Sequence, residues 1–112
     1  MSGDPLRLVS DAVYKPKVWK VLQFNQGNKS INKVLAVWED NWKLSSGITE
    51  VVDKDSYYEI HNKSGSIYEC DKQDERVDYS VNIVIDELIS QIYGAGNISL
   101  ISLEKKCRWE NV

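Results

Sequence analysis

Three residues in a short stretch carry most of the chemistry this sequence could offer: Glu59, His61 and Glu69. Two carboxylates held opposite each other repel, so one of them takes up a proton more readily, which is how acid/base pairs arise. With His61 beside them they would also make a divalent metal site on the segment from residue 57 to 70. The competing interpretation is a solvated sheet face on which the long Glu side chains splay apart near Lys63 and Lys72. That interpretation is preferred, so no metal, cofactor or catalytic residue is expected.

His61 is the single histidine of the chain. Any Ser-His-Asp or Cys-His scheme would need it as the base. Ser45-Ser46-Gly47 lacks the first glycine of a nucleophile elbow. One histidine and two distant cysteines, Cys70 and Cys107, cannot supply four zinc ligands. Gly94-Ala95-Gly96 follows a helical pattern instead of preceding one, which suits a helix stop and not a phosphate loop. The acidic run Asp71 to Asp78 has neither the central glycine nor the final bidentate glutamate of a calcium loop, and reads as a solvated connection. An enzyme is therefore not the expectation.

The chain has 112 residues, 42% of them apolar, with six Gly and two Pro, which fits one α+β domain over residues 1–112. Fourteen basic against seventeen acidic residues leave a net charge of −3. Nucleic-acid affinity comes largely from neutralising phosphates, so that balance makes nucleic acid an unexpected partner. The first fourteen residues show no cationic start followed by an apolar run, as a signal peptide would, and no stretch has the length of a membrane span. A cytoplasmic setting with two reduced thiols is the expectation.

The elements follow from periodicity and punctuation. Residues 6–14 read as a weak strand or a loosely docked arm. Strands are expected over 17–24 and 30–38, joined by Asn25-Gln26-Gly27-Asn28, and a third over 42–52 with a kink at Gly47. A hairpin spans 57–70 about Asn62-Lys63-Ser64-Gly65. A three-residue loop with Gly65 left-handed pairs Ile60 with Tyr68 and Tyr58 with Cys70, and sets Glu59 opposite Glu69. A four-residue loop would pair Ile60 with Ile67 instead. Residues 77–85 alternate as a strand would, but Val81, Ile85, Leu88, Ile89 and Ile92 repeat at helical spacing, and Asp78 can cap. The spacing predicts a helix over 79–93, then a strand over 97–103. The whole reads as an antiparallel meander of five or six strands with one C-terminal helix on a face and a final strand.

Four Trp and six Tyr stand out in a chain this small. Most would fill the core, but Trp38 and Trp42 bracket a charged turn, where only one would pack fully inward. Trp38, Trp42, Tyr57 and Trp109 are the interface candidates. The functional expectation is a non-catalytic binding module acting through an aromatic sheet surface. It would self-associate, most simply as a dimer, or take a protein partner. Two alternatives stay open: a small-molecule or metal site on the 57–70 hairpin, and an antitoxin-like inhibitor whose acidic surface occupies a basic partner.

The stretch Trp42-Lys43-Leu44-Ser45-Ser46-Gly47-Ile48, followed by Lys63-Ser64-Gly65-Ser66-Ile67-Tyr68-Glu69, resembles a pattern in small uncharacterised bacterial proteins encoded by mobile elements such as integron cassettes, plasmids and phages. The likeness lies between residues 42 and 69, and its motifs are structural. It implies an accessory protein acting by interaction with a host or partner, and brings no activity with it.

Overall fold

The computed structural model describes residues 13–90 and 97–103. Its centre is a long hairpin of β2 (Val18–Gln26) and β3 (Lys29–Val37), paired in register from Val18↔Val37 to Gln26↔Lys29. Gly27 opens the two-residue loop at φ 60°, a conformation that glycine adopts without the clash a Cβ would bring. The apolar residues of this hairpin run almost continuously instead of alternating, the pattern of strands covered on both faces. Val18, Leu22, Phe24, Leu35 and Val37 point one way, and Trp19, Val21, Val34 and Ala36 the other; all nine are buried.

Each face has its own cover. A helix, α1 (Tyr79–Leu88), lays Val81, Val84, Ile85 and Leu88 over the first set. The second set packs on another sheet, through Tyr58, Ile60, Tyr68 and Cys70. The molecule is thus three layers, sheet on sheet and helix on sheet, and it is α+β as expected. The central sheet has the order β4-β3-β2-β8, with β4 (Trp42–Leu44) and β8 (Ile98–Ile101) at its edges. The outer sheet has the order β1-β7-β6-β5. In it β5 (Ile48–Asp53), β6 (Tyr57–Asn62) and β7 (Ile67–Asp71) form an antiparallel meander, and β1 (Val13–Tyr14) lies parallel to β7.

The division into two sheets corrects the single strand expected over 42–52. That segment is two strands, one in each sheet. Ser45 ends the first: its N–H donates to the Val34 carbonyl at 3.0 Å, and its Oγ accepts from the Val34 N–H at 3.0 Å. Gly47 then takes φ 150°, and its carbonyl accepts from the Lys63 N–H at 2.9 Å, which delivers the chain to the outer sheet. A Cβ there would stand 3.5 Å from Ile31 Cγ2, an ordinary contact, so backbone angle and not crowding makes this a glycine position.

The connection from 71 to 78 is also not simply solvated. It straps across β2. Trp19 Nε1 donates to the Asp71 carbonyl at 2.7 Å, and the Arg76 N–H donates to the Trp19 carbonyl at 3.2 Å. Between them Glu75, its side chain 2% exposed, meets Lys20 Nζ at 3.5 Å and accepts from the Leu103 N–H at 2.7 Å. An acidic residue survives burial here because a cation and a backbone donor compensate for its lost water. The strap then ends at Asp78, whose carboxylate accepts from the Val81 N–H at 3.0 Å and the Ser80 hydroxyl at 2.7 Å. A ten-residue helix is marginal alone, so this cap and the packed face together hold it. Residues 91–96, with the expected Gly94-Ala95-Gly96 stop, and most of the expected 6–14 segment lie outside the described residues.

Trp19→Phe removes the indole donor to Asp71 and leaves a small void; a loss of about 2 kcal/mol is expected in urea unfolding. Asp78→Ala is expected to cost about 1 kcal/mol by the same measurement. The two hydrogen bonds also hold the Asp78 carboxyl below its ordinary value. Its contribution is therefore complete above roughly pH 5 and declines as pH falls through the unfolded value near 4. The stability gap between wild type and Asp78→Asn should narrow over that acid range.

Candidate functional site

The 57–70 hairpin takes the three-residue alternative. Tyr58 pairs with Cys70, Glu59 with Glu69 and Ile60 with Tyr68. Gly65 sits at φ 94°, and its N–H donates to the Asn62 carbonyl at 2.9 Å. Strand alternation then turns Tyr58, Ile60, Tyr68 and Cys70 into the space between the sheets and Glu59, His61 and Glu69 outward.

On the outward face the two carboxylates go to different partners. His61 Nε2 lies 2.9 Å from Glu59 Oε1, while Lys15 Nζ lies 3.6 Å from Glu69 Oε1. The three side chains do not converge on a point. Among the described residues no group of three or more His, Cys, Asp and Glu gathers as metal ligands would. Cys70 faces away from His61 into the core, where burial pushes its thiol well above the usual value. The histidine and the thiol therefore do not form a nucleophile–base pair.

The aromatic candidates are dispersed as well. Trp42 pairs with Val37 and shares its helix-side face, where it is 43% exposed. Trp38, one residue past β3, turns the opposite way and is half-buried among the inter-sheet residues. Its Nε1 donates to the Lys15 carbonyl at 2.9 Å, and its ring meets Tyr14 edge-on at 6.3 Å. Tyr57 is half-buried on the far side of the outer sheet, opposite Asp71. Trp109 and Cys107 lie outside the described residues.

What the fold builds is a cleft at the corner where β1 and β4 edge their sheets. Tyr14 is its hub. Its ring lies 4.9 Å from that of Tyr68, and Lys43 Nζ stands 5.3 Å from its centroid. Lys43 reaches there because it pairs with Ala36, an inter-sheet residue, while its neighbours Trp42 and Leu44 lie on the helix side. Two adjoining hollows share Tyr14 and Lys43. One, of about 420 Å³, is completed by Val13, Lys15, Trp38 and Asn41. The other, of about 320 Å³, is completed by Leu44, Tyr68, Ser45, Ser46, Ser64 and Ser66. Ser46 Oγ accepts from the Ser64 N–H at 3.0 Å, and Ser64 Oγ lies 3.0 Å from Ser66 Oγ. Burial pushes the Tyr68 hydroxyl up to about 12, so it stays protonated at neutral pH.

No protein-family model matches the chain, and no match is found among curated proteins or solved structures. The cleft must be read from its own residues. Of its members, sequence reasoning singled out Trp38 alone, and as an interface candidate instead of a cleft residue. The segments 42–48 and 63–69, distant in sequence, meet through Lys63–Gly47 and Ser64–Ser46 to form its wall, and that meeting has no local signal.

With Cys107 replaced by Ser, the single remaining thiol should be protected. Ellman's reagent at pH 8 is expected to label native Cys107→Ser protein only as fast as the structure opens, and to label it at once in denaturant. Immediate labelling of the native protein would contradict the burial of Cys70.

Proposed function

We propose that this protein is a non-catalytic binding module whose site is the corner cleft around Tyr14 and Lys43. The observation that carries this reading is the pair of adjoining hollows hinged on those two residues. Their volumes of about 420 and 320 Å³ lie in the range of small-molecule pockets. Aromatic walls with a few polar groups at fixed positions are the usual composition of such sites. The accessory role implied by the 42–69 resemblance agrees with binding in place of turnover.

A ligand that binds only the native state stabilises it through mass action, by about 2.7 kcal/mol at a hundred times its dissociation constant, and so raises the melting temperature. A thermal-shift panel of charged and neutral small molecules is expected to yield at least one stabiliser of the wild type. Ser46→Phe, which fills the serine-walled hollow from an exposed position, should abolish that shift. A stabiliser that works equally on Ser46→Phe would place binding outside the serine-walled hollow, and a panel without any stabiliser would overturn the cleft.

The exposure of Trp42 favours a second reading, contact with another copy of the chain through the helix-side face of β4. Sedimentation would then give a dimer for the wild type and a monomer for Trp42→Ser. A monomeric wild type removes this reading and leaves the cleft untouched.

A further inference from the structure

We infer that the corner cleft selects an oxyanion, the carboxylate or phosphate of a small organic molecule, with Lys43 as its principal contact. This inference rests on the cleft being the binding site. It begins from a mismatch of charge: the chain carries −3 overall, yet among the described residues those lining the two hollows include two lysines and no Asp or Glu. Lys15 is partly neutralised by Glu69 at 3.6 Å on its outer side. Lys43 pairs with no carboxylate among the described residues; its ammonium rests over the Tyr14 ring at 5.3 Å. A cation held against an aromatic face keeps its donors available while its position is restrained.

A neutral group can add a further donor: Ser46 Oγ accepts a backbone N–H from Ser64, which leaves its own proton available for donation. Lysine ammonium groups are donors only. A site this rich in donors is complementary to a group that only accepts, and an ionised carboxylate or phosphate is such a group. The larger hollow also exceeds a bare ion in size, and Val13 and the Trp38 ring line it, so the ligand should carry an apolar body beside its charge. Because the cleft is open to water, the charge contribution is screened, and affinity should fall as salt rises.

The test uses the full chain labelled with nitrogen-15 and three probes of similar shape: phenyl phosphate, phenylacetate and benzyl alcohol. The indole N–H of Trp38, bonded to the Lys15 carbonyl, and the amide of Ser64, bonded to Ser46 Oγ, are the reporters. At least one anion should move these resonances saturably, and benzyl alcohol should bind at least about tenfold more weakly. Which anion binds separates phosphate esters from carboxylic acids. Lys43→Glu should weaken the anion by a similar factor, and Lys43→Arg should retain it. Lys33→Glu, whose lysine sits over Phe24 on the helix side, should change nothing at the reporters.

Equal binding of benzyl alcohol, or anion binding that survives Lys43→Glu, overturns the charge selectivity while leaving the cleft as a site. Absence of any shift from all three probes up to millimolar concentration overturns both. Shifts spread over the lysine-bearing surface without saturation mean non-specific screening and likewise overturn the inference.

Discussion

Val18 and Trp19 are consecutive residues that both need to be dry, and in a strand they point to opposite sides. The same holds for Val21 with Leu22 and for Leu35 with Ala36. A hairpin with that requirement cannot sit at the surface of a two-layer fold. It needs a cover on each side, and the rest of the chain supplies them: a meander of three strands for one face, a short helix for the other. The strap from 71 to 76 crosses β2 because it must carry the chain from the one cover to the other, and its polar groups are met on the way by Trp19, Lys20 and Leu103.

Much of this was legible locally. The observed register of the 57–70 hairpin was one of two that the sequence left open, the one favoured by Gly65 and by four bulky side chains sharing a face, and the helix start followed from Asp78 and the spacing of Val81, Ile85 and Leu88. Non-local pairing was not legible. The apolar continuity of β2 and β3 signals burial on both faces, but it does not say which element covers which. The segment 42–52 looks like one strand because Trp, Leu, Ile and Val are strand formers on either side of Gly47. Only the Ser45–Val34 bonds and the φ of Gly47 divide it, and both depend on partners distant in sequence.

The cleft was hidden for a related reason. Alternation makes Lys43 the polar member between Trp42 and Leu44, which ordinarily means the wet side of a strand. In β4 both Trp42 and Lys43 are exposed, and Lys43 lies on the inter-sheet side, where it opens onto Tyr14. The opposite happened to Glu59, His61 and Glu69. Their spacing placed them on one face, as expected, but side chains of that length follow their nearest partners, His61 for Glu59 and Lys15 for Glu69.

The bond from the Leu103 amide to Glu75 ties the end of the described chain to its middle. During synthesis the central hairpin can close early, since its pairing is local. The meander and the strap can follow. Until Leu103 has emerged, however, the Glu75 carboxylate lacks one of the donors that make its burial tolerable, and β8 has not yet covered the edge of β2. Burial of Glu75 is therefore complete only with β8 in place. One buried carboxylate acts as a checksum on whether β8 has been delivered.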